Sequence, residues 1–269
     1  MRLKAEFLNK IEINYFPCVG SNEQTILIIG GVHGNEIQGV KGAKLLINYL
    51  KKPEKPLTQE ILKKATIVVV PCINLVGYLA DARTCPKRGT EVEYEQGKVK
   101  VKWDEKHSIK IPPNWHDPNR GWDNNDTLVK YHLEWLRKTF SPSLIIFNHD
   151  WDVPQGKINV YGPVKAFKSI SNAKKIYERF YRTHNAYGEP WSFVNLIDQQ
   201  EVRTMSFLLW EKFGIPIYLT ETCVVADISP KIHLAIDLFL LAKYVGIGWK
   251  DDDLLKTILQ EIIQDNPKA

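Results

Sequence analysis

The chain of 269 residues is 44 % hydrophobic and 25 % charged, which suits an ordinary soluble globular protein with a substantial core, built as one large α/β domain or two small ones. No run of eighteen apolar residues is present to span a bilayer, and Met1 to Lys10 holds no apolar stretch of signal-peptide length, so the sequence reads as cytoplasmic with no membrane partner. The net charge of +5 lies largely in Lys-rich faces such as Lys51-Lys52 and Lys174-Lys175, which read as solvated surface rather than a nucleic-acid footprint. Cys18, Cys72, Cys85 and Cys223 lack the C-x-x-C spacing of a thiolate zinc site and show no disulfide framework.

The first apolar run of strand character is Thr25 to Ile29, and Glu36 to Leu50 follows it with apolar residues at helical spacing. Strand runs then recur at Thr66 to Pro71, Ser143 to Asn148 and Ile215 to Thr220. Helical periodicity recurs at Asp126 to Phe140, Ala166 to Arg182, Val202 to Phe213 and Pro230 to Val245. Strands crossing over through helices predict an α/β fold with a single doubly wound, mostly parallel sheet flanked by helices. Residues 1–269 therefore read as one domain with a helical C-terminal tail ending in Trp249 to Gln264.

Arg83 to Trp122 breaks the alternation, because forty residues are too many for an ordinary connection. Within it, Glu91 to Trp103 alternates first with glutamates and then with lysines, with Gln96-Gly97 between the halves. That pattern predicts a hairpin-like insertion at about 84–116, and long excursions of this kind often sit over active sites.

The stretch Gly30-Gly-Val-His-Gly-Asn-Glu36 follows the first strand directly. In an open parallel sheet, ligands bind where strands end and the chain turns toward the next helix. The glycines permit a tight turn there, and a helix starting near Asn35 would hold His33 and Glu36 together at its entrance. Alone, His-x-x-Glu is given as readily by a capped helix start. The strand Leu144 to Phe147, however, runs into His149, and the strand ending at Thr220 runs into Glu221. A lone strand-end histidine or glutamate is more often structural. Their recurrence at the ends of different strands of one sheet favours a metal site, with His33, Glu36 and His149 as the three ligands of one zinc ion per chain and Glu221 as a general base whose pKa burial could raise.

Gly31-Val-His-Gly-Asn-Glu36, Asn74-Leu-Val-Gly77 with Arg83 nine residues after Asn74, Asp117-Pro-Asn-Arg120, His149 and Thr220-Glu221-Thr222 resemble, in order, the motifs of the zinc carboxypeptidase family. That family includes bacterial murein peptide amidases and, as a related branch, aspartoacylase and succinylglutamate desuccinylase. By this resemblance, His33, Glu36 and His149 ligate zinc, Glu221 is the base and later the acid, Arg83 helps polarise the scissile carbonyl, and Asn119 and Arg120 hold a substrate carboxylate. Arginine suits such a role because its planar fork pairs bidentately with a carboxylate.

The resemblance implies a hydrolase acting on a peptide-type amide beside a free carboxylate, a carboxypeptidase or peptide amidase with cell-wall peptides as the leading substrate class. The alternatives are an N-acyl amino acid deacylase of the aspartoacylase branch and a non-catalytic zinc-binding relative. Pro118 stands where the family usually has leucine, and Gln199 to Arg203 holds no tyrosine at the place where digestive carboxypeptidases carry a mobile one. Trp103, Trp115, Trp122, Trp151 and Trp191, with Asp150 and Asp152, are candidates for a substrate-facing wall, although core packing accounts for any single tryptophan as well.

Overall fold

The computed structural model describes residues 1–21, 24–101, 112–120, 122, 126–151, 158–162, 191–195, 204–223 and 229–264. In chain order these form β1 (Arg2–Lys4), α1 (Ala5–Leu8), β2 (Asn14–Phe16), β3 (Thr25–Gly30), α2 (Ile37–Leu50), α3 (Pro56–Leu62), β4 (Thr66–Val70), α4 (Leu75–Ala80), β5 (Cys85–Pro86), β6 (Glu91–Glu95), β7 (Lys98–Lys100) and β8 (Trp115–His116). There follow α5 (Leu128–Phe140), β9 (Leu144–Trp151), β10 (Ile158–Gly162), β11 (Trp191–Asn195), α6 (Met205–Phe213), β12 (Ile217–Cys223), α7 (Ser229–Tyr244) and α8 (Asp251–Gln264). The helix expected at Ala166 to Arg182 lies outside the described residues, as do Trp103 and Asp152 and the side chains of Trp151 and Trp191.

The central sheet has seven strands in the order β11-β10-β12-β9-β3-β4-β2. The four predicted strands are its middle: β4, β3, β9 and β12 are mutually parallel, which requires crossovers and buries both faces. That is why their sequences, Thr66-Ile-Val-Val-Val70 and Leu144-Ile-Ile-Phe147, are unbroken apolar runs. The sheet extends further than those runs indicate: β2 joins β4 antiparallel at one edge, and β10, antiparallel to β12, carries β11 at the other.

Strand alternation sorts the core into two layers. Ile26, Ile28, Leu144 and Ile146 pack with α2, α3, α7 and α8 on one face, while Leu27, Ile29, Ile145, Phe147, Ile217 and Leu219 pack with α5, α6 and the insertion on the other. The hairpin forms where the charge alternation placed it, with β6 and β7 antiparallel and positive φ angles of 49° and 81° at Gln96 and Gly97. Two positive φ angles in a two-residue loop match the right-handed strand twist. β1 adds a third strand to this small sheet. Trp115 and Trp122 are buried in the core of the insertion-side layer, so for these two the packing reading holds.

Two close approaches set α2 against the strand ends. Gly31 turns the chain out of β3 with φ of 60°. Gly39 lies so near β9 that a Cβ there would sit 2.4 Å from the Asn148 carbonyl oxygen, closer than any side chain tolerates. The fully buried Asn74 then fastens the neighbouring loops: its Oδ1 accepts from Gly77 N at 3.0 Å to cap α4, while its Nδ2 donates to the carbonyls of Val32 at 3.1 Å and Thr84 at 3.2 Å. One amide thereby fixes both the turn before His33 and the residue after Arg83.

Behind the sheet, Asp237 of α7 is buried, and its Oδ2 accepts from Asn148 Nδ2 at 2.8 Å. Burial pushes its carboxyl up to about 7 from 3.8, against the Asn148 hydrogen bond and His233, which pull it down. A raised folded-state pKa means that the stabilisation is complete below the unfolded value and is lost as pH climbs through the folded one. Unfolding free energy should therefore fall between about pH 4 and pH 7, by up to a few kcal/mol. In Asp237→Asn that segment of the profile should be flat, as urea titrations at a series of pH values would read out.

Candidate metal centre

β3, β9 and β12 end side by side at one edge of the sheet, and the candidate residues sit at or just beyond those ends. His33 stands in the turn after β3, and Glu36 is the N-cap residue of α2. On β9, His149 is in register with Glu221 on β12. Opposed residues of parallel neighbours project to the same face, here the one packed by α5 and α6.

His33, Glu36 and His149 are all buried, and their ligand atoms lie within 4.8 Å of one another. Nδ1 of His33 contacts Glu36 Oε1, and Nδ1 of His149 lies 2.7 Å from Glu36 Oε2. The second contact has no hydrogen-bond geometry: Glu36 Oε2 and His149 Nδ1 are both without a hydrogen-bond partner although buried. Orphaned buried polar atoms are costly, and two of them converging on one point are arranged for a common cation. Two imidazoles and one carboxylate are the donor set of a catalytic zinc site with an open fourth position.

The second nitrogen of His33 is also accounted for. Nε2 lies 3.1 Å from Asp117 Oδ1, which fixes the ring and leaves Nδ1 to face Glu36. Asp117 holds more than the histidine. Its Oδ2 accepts from Arg83 Nε at 3.1 Å, and its Oδ1 accepts from Asn119 N at 2.8 Å. The sequence folds this way locally because Asp117-Pro118 begins a turn: aspartate bonds the backbone two residues on, proline presets φ, and Arg120 N closes the turn on the Asp117 carbonyl at 3.2 Å.

The electrostatics follow from this crowding. Burial disfavours the charged form of His33, but Glu36 and Asp117 outweigh it and push the imidazole up to about 9. Burial likewise works against the Glu36 carboxylate, and His33 and His149 overcome it, holding Glu36 well below the usual carboxylate range. Asp117 is held down too, against burial, by His33 and Arg83. A cation and a proton compete for the Nδ1 lone pair of His33, so the same two carboxylates that favour imidazolium favour a divalent ion.

The remaining candidates are disposed around this cluster. Arg83 places Nη1 3.6 Å from Glu36 Oε1 while its side chain stays 42 % exposed, reaching from solvent to the ligands. Asn119 is buried, and its Oδ1 accepts from Met205 N at 3.1 Å, which turns its NH₂ away from α6. Arg120 donates from Nη1 to the Asn119 carbonyl at 3.1 Å. Glu221 is half-buried on its strand. Asp150 departs from its expected place: it alternates with His149 to the opposite face, and its Oδ2 accepts from Gln38 N at 2.6 Å. It is therefore no part of a substrate wall.

Asp117 is the site residue that motif reading passed over. The signal was available, since every metal-ligating histidine needs a partner for its second nitrogen and Asp-Pro turns present a carboxylate.

Residues 11–133 match the zinc carboxypeptidase family. The matched span contains His33, Glu36, Arg83, Asp117, Asn119 and Arg120, and the structure adds His149 to them. A metallo-carboxypeptidase from Burkholderia cenocepacia superposes with a TM-score of 0.58 at 11 % identity over 91 % of this chain and 64 % of its own length. An aspartoacylase family protein from Mesorhizobium loti gives 0.53 at 16 % identity over 89 % of this chain and 63 % of its own. A candidate metallopeptidase from Shewanella denitrificans gives 0.55 at 13 % identity over 92 % and 97 %. This chain thus spans less than two thirds of the first two relatives, and at these identities all three speak to the fold. No curated protein matches the chain in sequence. Family match, fold and donor cluster together support a zinc hydrolase. No helix among the described residues is long and apolar enough to cross a membrane.

Replacing Asp117 by Asn keeps the volume but weakens the charge-assisted contact to His33 Nε2. Zinc affinity, measured by competition with a chromophoric chelator, should drop about 10–100-fold, the range seen when the outer partner of a ligating histidine is lost.

Proposed function

We propose that the chain is a zinc-dependent hydrolase that cleaves a peptide-type amide bond next to a free carboxylate, with cell-wall peptides as the leading substrate class. The observation that carries this reading is the convergence of His33, Glu36 and His149 on one point, with Asp117 tying His33 to Arg83 and Asn119 beside them.

When bound, zinc supplies a Lewis acid that acidifies a water molecule and polarises a carbonyl. Glu221, level with His149 on the adjacent strand and half-open to solvent, takes the water's proton and returns it to the leaving amine. Arg83, anchored at Nε by Asp117, presents its remaining donors to the negative charge that develops on the carbonyl oxygen. Asn119 and Arg120 receive the substrate carboxylate, the amide as a neutral donor and the guanidinium as a charged one. A terminal carboxylate held there makes the enzyme an exopeptidase or a peptide amidase rather than an endopeptidase. The absence of a tyrosine from Gln199 to Arg203 sets the chain apart from digestive carboxypeptidases and toward the bacterial amidases.

The experiment is to load the protein with zinc, count the metal by elemental analysis and incubate it with muropeptides, L-peptides, their C-terminal amides and N-acyl amino acids. About one zinc per chain is expected, with products from free-carboxylate substrates and none from the amides. Glu221→Gln should keep the zinc and lose 10²-fold or more in kcat. Release from N-acyl amino acids alone would transfer the assignment to the deacylase branch. Equal cleavage of amidated and free peptides would remove Asn119 and Arg120 from carboxylate binding, and a zinc-loaded protein inert on the whole panel would be a binding relative.

A further inference from the structure

A second group of polar side chains lies directly behind the metal centre, on the opposite face of the same strand ends. Alternation puts Asn148 and Asp150 of β9 and Thr220 and Thr222 of β12 on the face covered by α7, while His149 and Glu221 between them face the site. All four, and His233 of α7, are buried. His233 meets both strands at once: Nδ1 lies 3.2 Å from Thr220 Oγ1, and Nε2 lies 2.9 Å from Thr222 Oγ1 and 3.3 Å from Asp150 Oδ1. A carboxylate can only accept, so Nε2 carries its proton toward Asp150. The other oxygen of Asp150 takes the backbone N–H of Gln38 at 2.6 Å, in the first turn of the helix that Glu36 begins. A carboxylate at that point also complements the helix dipole.

Resting on the zinc-hydrolase reading, we infer that His233 is a positioning residue: through Asp150 and the two threonines it clamps α2, β9 and β12 together from behind, and so fixes Glu36, His149 and Glu221 relative to one another. Each of the three elements contributes one site residue, and each touches the cluster within two residues of it: Gln38 beside Glu36, Asp150 beside His149, Thr220 and Thr222 flanking Glu221. Packing reinforces the clamp, because a Cβ at Gly42 of α2 would come within 2.5 Å of the His233 Cβ, so the two helices cross at this residue. His233 has no access to substrate and is not a catalytic residue. Its effect passes through ligand geometry, which must hold to a fraction of an ångström for full affinity.

The test compares His233→Ala, His233→Gln and His233→Asn with Leu46→Ala, a cavity variant in the same layer of core on α2. Two readouts are needed: zinc affinity by chelator competition and hydrogen exchange of the Gln38 amide by NMR. Glutamine can place a donor near the position of Nε2 and asparagine only near that of Nδ1. His233→Ala should therefore lose about tenfold in zinc affinity and exchange Gln38 faster, His233→Gln should recover most of both, and His233→Asn should not. Leu46→Ala should be destabilised yet keep the affinity. Equal behaviour of the Gln and Asn variants, or an affinity loss in Leu46→Ala matching that of His233→Ala, would reduce His233 to ordinary packing. If His233→Ala does not fold, the Gln and Asn pair carries the comparison. A parent protein that binds no zinc sinks the hydrolase reading instead, and the Gln38 exchange rates then decide whether the clamp exists.

Discussion

The structure around the site depends on burying the Glu36 carboxylate between two imidazoles. Glu36 is only 5 % exposed and one of its oxygens has no hydrogen-bond partner, a placement that water would otherwise oppose strongly. It is tolerable because His33 and His149 press on it from both sides, and it becomes favourable once a divalent ion shares the space. Everything adjacent serves that packing: Gly31 turns the chain at positive φ, Asn74 ties down the loop, and Gly39 lets α2 come against β9 so that its N-cap residue reaches the strand ends. Asp117 extends the same logic outward. By holding His33 and Arg83 with separate oxygens and Asn119 through its backbone, it converts three sequence-distant residues into one rigid unit.

The two-residue period of a strand gives β9 and β12 a double duty. One set of side chains faces the candidate metal centre, and the set between them faces α7. Slipping either strand by one residue would exchange the sets, turning His149 or Glu221 into the core and a neutral or oppositely placed group into the site. Hydrophobic residues further down both strands resist such a slip, since Ile145, Phe147, Ile217 and Leu219 belong to one layer and Leu144 and Ile146 to the other. The polar cluster acts where those apolar residues stop, at the end of the strands where register matters most to the ligands.

What was legible in the sequence follows from which signals are local. Unbroken Val and Ile runs identify parallel central strands, because only burial on both faces permits them, and the residues following them are then at the ligand-binding edge without further information. The glutamate-to-lysine alternation around Gln96-Gly97 is equally local and marked the hairpin. β2, β10 and β11 were not visible: they are edge or near-edge strands of three to five residues whose pairing is decided by neighbours far off in the chain. Asp150 is hidden from a local reading for a related reason. Its neighbour His149 faces the site, and only the alternation of the strand, which continues past the apolar run to Trp151, shows that Asp150 must face away.

The charges of the cluster follow from the same crowding. With a divalent ion bound, both imidazoles would be neutral donors, and Glu36 and Asp117 against Arg83 and the ion would leave the inner cluster with one net positive charge, while Glu221 and Arg120 contribute one charge of each sign. On the proposed reading, that positive charge is what a substrate carboxylate would meet. Arg83 is suited to this crowded setting. Its Nε is committed to Asp117, its Nη1 stands 3.6 Å from Glu36 and its side chain is 42 % exposed, a spread of donors along a planar fork that lysine, with all its donors on one nitrogen, does not offer.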